Sequence, residues 1–231
     1  MPVSPMSRRA LLRGGLAVGA GAALGVPALA VARSAAGATT TASTAFANYI
    51  DQPTIANCAT WGARPPASAP TIVDHRPNKI IVHHTAFPIT TDYSWAYAYQ
   101  NSRDIQNLHM DKNGWNDSGQ HFTNSQGGHL TEARTGSLYH LLHGQTMVQG
   151  AHCVGQNDQA IGIENDGTFL TVQPTAAQWN SLVTFCAFIC QQYQIPPTEI
   201  YGHMDFNSTQ CPGLLHDRLP ELRNSVATLL G

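Results

Sequence analysis

His203 and Cys211, near the C-terminal end of the chain, have the residue types and the spacing of a metal site. His203 ends a predicted strand, and Cys211 follows on a loop eight residues later. A histidine nitrogen and a cysteine thiolate are ligands that zinc prefers, and a site with three protein ligands keeps a fourth position for water. The spacing alone does not establish such a site, because a buried histidine beside a disulfide-bonded cysteine gives the same pattern.

The third ligand has two candidates, His83 and His84, which follow the β-branched run from Lys79 to Val82. Such a run predicts a buried strand, and an open sheet presents functional side chains where its strands end. Consecutive residues of a strand point to opposite faces, so only one of the two histidines can reach a shared metal. The spacing does not decide which one, and a hydrogen-bonded core histidine is the alternative for either.

The periodicity of the chain predicts the elements that position these residues. Strands are predicted over 79–83, 120–125, 129–133, 160–164 and 200–203, with a hairpin turn at 126–128, and helices over 94–110, 175–193 and 214–230. Thr175 and Gln178 form a predicted capping box at the start of the second helix. We therefore expect an α/β (α+β mixed) fold, in which helices flank a central mixed β-sheet.

The five cysteines, an odd number, bear on both the metal and the fold. In an oxidising compartment four can pair, and the fifth is a free thiol or a metal ligand, for which Cys211 is the natural candidate. Side chains four positions apart on a helix lie about 5–6 Å apart. Disulfide-bonded Cβ atoms lie about 3.8 Å apart, so a bond between Cys186 and Cys190 is disfavoured. We expect two disulfides that link Cys58 and Cys153 separately to that helix, in either pairing.

The first residues predict an export signal. Ser7-Arg8-Arg9 is a twin-arginine pattern, and an apolar run from Gly14 to about Ala32 ends in small residues with A-x-A spacing. We assign 1–36 to the signal, 37–49 to a flexible linker and 50–231 to one folded domain. The alternative is a membrane anchor, but a run rich in Gly and Ala has low membrane affinity. We expect cleavage, secretion and no stable membrane association.

The charge balance argues against one class of partners. The chain has 12 Lys and Arg against 14 Asp and Glu, and four of the basic residues precede Ser34. A mature chain that begins there keeps eight basic and 14 acidic residues, a formal net charge of −6 with neutral histidines. No cluster of Lys and Arg remains, so DNA, RNA or an anionic membrane is not expected as the main partner. The chain has no internal repeat, and we expect a monomer.

Five short motifs occur in an order that resembles a known family. They are Trp61–Arg64, Ile81–Ala86, Gly150–His152, Ile161–Glu164 and a last segment that joins Gly202–Asp205 to Cys211–Gly213. Over about Cys58 to Leu219 the chain is similar to type-2 N-acetylmuramoyl-L-alanine amidases and peptidoglycan recognition proteins. The resemblance implies that His83, His203 and Cys211 bind Zn2+. Some bacterial relatives have Asp at the third position, where this chain has Cys.

The resemblance also implies roles for four further residues. Glu164 is the expected general base, because Gln120 replaces the Tyr of a G-Y-H-F segment that serves some relatives and cannot act as an acid or base. Gln120 and His152 are expected to line the substrate groove. Thr209 lies where relatives hold Thr or Lys against the tetrahedral oxyanion. The structural alternatives are a water-facing carboxylate for Glu164, loop capping for Thr209 and a packing role for His152.

The resemblance, together with the export signal, implies a secreted zinc amidase that acts on peptidoglycan, or on its muropeptide fragments, in the cell wall. The reaction that the resemblance implies is hydrolysis of the amide bond between N-acetylmuramic acid and L-alanine. An amide is a poor electrophile, so the site must supply an activated water, a proton for the leaving nitrogen and charge stabilisation for the carbonyl oxygen. Two alternatives stay open. One is a non-catalytic muropeptide-binding protein of the same fold, and the other is a disulfide-stabilised structural protein that binds no metal.

Overall fold

The computed structural model describes residues 46–231, so the predicted export signal and residues 37–45 of the predicted linker lie outside the described part. A six-stranded sheet forms the centre, and its spatial order is β1 (Ile55–Ala56), β5 (Leu130–Glu132), β4 (Phe122–Asn124), β7 (Ala160–Asn165), β3 (Lys79–His84) and β8 (Ile200–Gly202). Neighbouring strands are parallel, except for the antiparallel hairpin of β4 and β5. A separate antiparallel pair consists of β2 (Ile72–Val73) and β6 (Met147–Val148).

Helices flank this sheet, which confirms the predicted fold class. The described residues form α1 (Cys58–Trp61), α2 (Trp95–Asn107), α3 (Ser137–His143), α4 (Ala176–Tyr193), α5 (Leu214–Asp217) and α6 (Leu219–Leu230). A π-helical turn at Leu108–Lys112 extends α2, and 3-10 turns at Pro197–Glu199 and His203–Asp205 flank β8. Among residues 46–231, no helix has both the length and the apolar content needed to cross a membrane.

Alternation along β3 and β7 assigns the two faces of the sheet. Four residues at alternate positions are buried in the main hydrophobic core with residues of α4 and α6, namely Ile80, Val82, Ile161 and Ile163. The residues between them therefore point to the opposite face. His83 and Glu164 are register partners near the carboxyl ends of these two parallel strands, and both lie on that second face. The fold thus places the two side chains together and away from the main core.

Helix α4 begins where the sequence predicts. The hydroxyl oxygen of Thr175 accepts a hydrogen bond from the backbone N–H of Gln178 at 3.1 Å and caps the first turn. The second half of the predicted capping box is not formed, because Gln178 Oε1 accepts no hydrogen bond from the backbone N–H of Thr175. Gln178 Nε2 donates to the backbone carbonyls of Asn124 and Asp166. Those two bonds tie the start of α4 to the ends of β4 and β7.

The prediction of one helix over 214–230 is wrong, since α5 and α6 meet at Arg218. The backbone of Arg218 has φ −94° and ψ 0°, which interrupts the helical geometry. Pro220 lies in the first turn of α6. A proline is tolerated there because its missing N–H would have no helical acceptor, whereas in the interior of one long helix it would remove a hydrogen bond.

The ordered domain begins before the predicted boundary at Ile50. Phe46 packs against the main core. Asn48 donates from its backbone N–H to the carbonyl of Leu230 at 3.0 Å and from its side chain to the carbonyl of Leu229 at 3.1 Å. Residues 46–49 of the predicted linker therefore belong to the fold.

The five cysteines, all within the described residues, are free thiols, so the two expected disulfides are not formed. Cys186 and Cys190 lie in the main core on the α4 face of the sheet, whereas Cys153 packs with Ile81 in a small cluster on the other face. The sheet therefore separates Cys153 from α4. The Sγ atom of Cys58 contacts a carbonyl oxygen of β5 at 3.7 Å.

Candidate metal centre

Three segments that are far apart in sequence bring His83, His203 and Cys211 together, and this trio is called the candidate metal centre. His83 lies near the end of β3, His203 begins the 3-10 turn after β8, and Cys211 lies on the loop before α5. Their potential ligand atoms all lie within 4.8 Å of one another. His83 Nδ1 is 3.7 Å from Cys211 Sγ, near the roughly 3.5 Å that separates two ligand atoms on tetrahedral zinc. Two imidazoles and one thiol are a donor set that fits zinc.

The structure directs His83, rather than His84, into this centre. His84 is not among the converging ligands, and its Nδ1 accepts a hydrogen bond from the backbone N–H of Phe169 at 3.3 Å. The backbone N–H of His84 donates to Cys211 Sγ at 3.3 Å, a bond that stabilises a thiolate. Burial raises the pKa of the Cys211 thiol to about 12, and the His84 N–H partly offsets that rise. A divalent cation bound to the sulfur would lower this pKa much further.

Glu164 lies beside the centre on β7, across from His83 in the register of β3 and β7. Its carboxyl group lines the same cavity as the three candidate ligands. Burial raises the pKa of Glu164 to about 8, and the nearby negative charge of Asp166 adds to the rise. A carboxyl group with a pKa near neutrality can both accept and return a proton, which is what a general base and acid must do.

The candidate metal centre opens into a cavity of about 270 Å³, and its walls also include Glu164, Trp115, Gly119, His152 and Thr209. Thr209 is exposed, and its hydroxyl oxygen accepts a hydrogen bond from the backbone N–H of Cys211 at 3.2 Å. That bond is the loop cap expected as the structural alternative. It uses only a lone pair of the oxygen, so the hydroxyl proton can still be donated to a bound molecule. Capping and substrate contact are therefore compatible roles for Thr209.

Gln120 does not face this cavity, which corrects its expected place in the substrate groove. The residue is 0% exposed, and its Nε2 donates to Thr123 Oγ1 at 3.0 Å. Gly119, one position earlier, lines the cavity instead. The amide of Gln120 thus points into the interior of the protein, where a substrate does not reach it.

His152 packs behind the ligand His83. His152 Nδ1 is 3.0 Å from His83 Nε2, and His152 Nε2 is 3.3 Å from the carbonyl oxygen of Ala160. Burial lowers the pKa of both imidazoles well below the ordinary value, and neighbouring histidines lower it further, so both rings are neutral at pH 7. Asn207 holds a comparable place at the other ligand, with its Oδ1 3.1 Å from His203 Nε2. Sequence reasoning misses Asn207, although its position four residues after His203 on a tight turn is a usable signal.

Comparison with known proteins gives one family match and several relatives. A family model described as N-acetylmuramoyl-L-alanine amidase matches residues 73–214. Peptidoglycan-recognition protein LB of Drosophila melanogaster is 30% identical over 154 residues, which are 66% of this chain and 61% of that protein. An N-acetylmuramoyl-L-alanine amidase of Homo sapiens is 28% identical over 185 residues, which are 78% of this chain and 30% of that protein. The chain therefore spans less than two thirds of the length of either relative.

Solved structures show the same fold. One is peptidoglycan recognition protein LE, a protein of Drosophila melanogaster, in complex with tracheal cytotoxin, a monomeric diaminopimelic acid-type peptidoglycan. It superposes with a TM-score of 0.63 at 25% identity, and the match covers 72% of this chain and 92% of that one.

Proposed function

The chain belongs to the N-acetylmuramoyl-L-alanine amidase family, and on that basis we propose that it is a zinc-dependent enzyme that hydrolyses the amide bond between N-acetylmuramic acid and L-alanine. The observation that carries the proposal is the convergence of His83, His203 and Cys211 beside Glu164 in one cavity. A protein that only binds peptidoglycan needs neither a zinc-type ligand set nor a carboxyl group with a pKa near neutrality.

Each residue of the site has a proposed task. His83, His203 and Cys211 hold zinc, which when bound supplies an activated water and polarises the substrate carbonyl. Glu164 accepts a proton from the attacking water and returns it to the amide nitrogen as the C–N bond breaks. The hydroxyl group of Thr209 donates a hydrogen bond to the carbonyl oxygen as negative charge develops on it.

Peptidoglycan, or a muropeptide released from it, is the proposed substrate. Relatives named amidase and relatives named recognition protein both support this class of ligand, and the structure of protein LE holds a monomeric peptidoglycan. The second candidate function is binding without cleavage, which the relatives named recognition protein favour. Glu164 and Cys211 favour the enzyme, because neither is needed for binding alone.

The test measures zinc content, muropeptide binding and cleavage on the same preparation. We expect about one zinc per chain and release of stem peptides that begin with L-alanine from purified cell walls. His83→Ala and Cys211→Ser should lose zinc and cleavage together. His143→Ala, an exposed residue of α3 and a matched histidine control, should keep both.

The other outcomes separate the alternatives. Muropeptide binding without cleavage in the zinc-loaded wild type would establish the recognition protein. A Cys211→Ser protein that binds zinc and cuts normally would show that the ligand assignment is wrong. A wild type with neither metal nor muropeptide affinity would favour the structural protein.

Location is a separate part of the proposal. We propose that residues 1–36 direct twin-arginine export and that the mature protein acts in the cell wall as a monomer. Changing both Arg8 and Arg9 to Lys keeps the charge but removes the twin-arginine pattern. Cell fractionation should then find the full-length protein in the cytoplasm, while the unchanged chain is found outside it. Equal secretion of both proteins would contradict the assignment.

A further inference from the structure

One loop, Ala151–Asn157, supports both histidines of the candidate metal centre from behind. It carries His152, which contacts His83, and it contacts Asn207, which in turn contacts His203. We propose that His152 and Asn207 are positioning residues that hold His83 and His203 in the tautomer whose Nδ1 is unprotonated and free to bind a metal. The inference rests on the zinc site of the proposed function.

The tautomer of His83 is set from the carbonyl oxygen of Ala160, which can only accept a hydrogen bond. His152 Nε2, 3.3 Å from that oxygen, must therefore carry its ring's proton. In a neutral ring Nδ1 is then an acceptor, so the hydrogen bond of 3.0 Å to His83 requires a proton on His83 Nε2. That leaves the lone pair of His83 on Nδ1, the atom that lies 3.7 Å from Cys211 Sγ. Each hydrogen bond thus determines which nitrogen of the next ring carries the proton.

The tautomer of His203 is set by the side-chain amide of Asn207. Asn207 Nδ2 donates to the carbonyl of Phe206 at 2.9 Å and to the carbonyl of Val154 at 3.4 Å. Both partners can only accept, so the amide orientation is fixed and Oδ1 faces His203 Nε2 at 3.1 Å. The thiol of Cys153 donates to the same Oδ1 at 3.3 Å. His203 Nε2 must then donate, and its Nδ1 keeps the lone pair.

Two features hold the loop in place. Asn157 Oδ1 accepts hydrogen bonds from the backbone N–H groups of His152 and Cys153, at 2.8 and 2.9 Å. Gly162 on β7 supplies the space for the His152 ring, since a Cβ atom at that position would lie 2.6 Å from the ring. The two histidine ligands are thus oriented by a single unit. Metal ligands commonly depend on outer contacts of this kind, and their loss typically weakens metal binding by about 10–100-fold.

The first test reads the tautomers directly in zinc-free protein. Long-range 1H–15N NMR at a pH where the rings are neutral distinguishes a protonated from an unprotonated imidazole nitrogen. We expect His83 and His203 both to show protonated Nε2 and unprotonated Nδ1 in the wild type. A protonated Nδ1 on either residue would overturn the inference for that residue.

The second test compares variants. His152→Ala and Asn207→Ala should each mix the tautomers of the ligand they contact and weaken zinc binding by about 10–100-fold, as measured by competition with a chromophoric chelator. His152→Asn and Asn207→Asp keep an acceptor near the lost atom and should recover part of the affinity. The matched controls His143→Ala and Asn224→Ala change exposed residues of α3 and α6 and should leave zinc affinity unchanged.

The outcomes are distinguishable from failure of the proposed function. Unchanged zinc affinity in both alanine variants, or weaker affinity with unchanged tautomers, would overturn the inference. A wild type that binds no zinc would contradict the proposed function, and the tautomers of the zinc-free protein would still decide whether His152 and Asn207 orient the two histidines. If the His152 variants do not fold, the wild-type spectrum and the more exposed Asn207 variants carry the test.

Discussion

Loss of the Glu164 carboxylate should lower turnover without loss of zinc, unlike loss of any of the three candidate ligands. Glu164→Gln keeps the size and hydrogen-bonding capacity of the side chain but removes the group that accepts a proton. We expect normal zinc content and muropeptide affinity, with turnover lower by about 100-fold or more. Single-turnover cleavage of a defined muropeptide, beside metal analysis and a binding titration, measures the three quantities.

The matched control for that prediction is Glu199→Gln. It makes the same chemical change in the 3-10 turn before β8, where Glu199 accepts a hydrogen bond from the hydroxyl of Tyr201. Turnover of this variant should equal that of the wild type. Comparable losses in the two variants would mean that the base lies elsewhere.

Asp166, two residues after Glu164, carries a buried charge with incomplete compensation. It is 0% exposed, and although Tyr97 and Asn101 approach its carboxyl group, no donor among the described residues forms a hydrogen bond of normal geometry to either oxygen. Burial raises its pKa from 3.8 to about 6. The folded chain therefore binds this proton more tightly than the unfolded chain does. The resulting penalty on folding is absent below about pH 4 and complete above about pH 6.

Asp166→Asn removes that charge, so the stability of the variant should depend less on pH between pH 4 and pH 7. Relative to the wild type, its free energy of unfolding should rise by about 1–3 kcal/mol between pH 4 and pH 7. Urea unfolding at the two pH values measures the change. Asp217→Asn, on the exposed end of α5, is the matched control. An equal pH-dependent increase in the free energy of unfolding of both variants would show that the penalty does not come from Asp166.

At the scale of elements, the strands that carry the site are those whose sequence is most informative. β3 and β7 have apolar runs because both are central and covered, and the alternation within them places His83 and Glu164 on one face. The two-residue strands β2 and β6 have no such pattern. They exist because Ile72 pairs with Val148, 76 positions later, and single-segment periodicity contains no such information.

The candidate site also has one part that the sequence predicts and another part that it does not. The spacing of His203 and Cys211 indicated a metal, but the choice of His83 over His84 came from the family resemblance, since alternation shows only that the two side chains diverge. The contacts of Asn207 and of the loop Ala151–Asn157 depend on irregular backbone, which has no period in the sequence. The disulfide prediction failed for a related reason, because a count of cysteines does not tell which face of the sheet each one occupies.

Gly162 links strand β7 to the orientation of the metal ligands. In Gly162→Ala the new methyl group would lie 2.6 Å from the His152 ring, so the ring must move. We expect zinc binding weaker by about tenfold or more, because the contact of His152 with His83 is lost. In the background of His152→Ala the same substitution should have little further effect. Chelator competition on the four proteins of this cycle measures the coupling, and additive losses would show that Gly162 acts independently of His152.

At the scale of the whole molecule, the two faces of the sheet have separate tasks. One face packs against α4 and α6 and forms the main core, while the other carries the cavity. The candidate ligands belong to β3, the turn after β8 and the loop before α5, and only the folded chain brings these segments together. Metal affinity should therefore add directly to the stability of the fold.

The coupling of zinc binding to folding should appear in the thermal stability of the protein. A ligand that binds only the folded state stabilises it by about 4 kcal/mol when its free concentration is 1,000 times Kd. For a domain of this size that free energy corresponds to a shift of roughly 10 °C in the unfolding midpoint. We expect a strong chelator to lower the thermal midpoint of the zinc-loaded wild type by about this amount, and added zinc to restore it. Differential scanning calorimetry measures both.

Two cysteine variants show whether the metal that causes the shift in the unfolding midpoint is bound at Cys211. Cys211→Ser lacks one ligand, so it should begin near the lower midpoint and respond little to the chelator. Cys58→Ser makes the same change in α1, away from the cavity. It should keep the full response, because a serine hydroxyl can also donate to the carbonyl of Glu132. An equal response in wild type and Cys211→Ser would place the stabilising metal elsewhere. A zinc-loaded wild type that ignores the chelator would show that metal and fold are not coupled at Cys211.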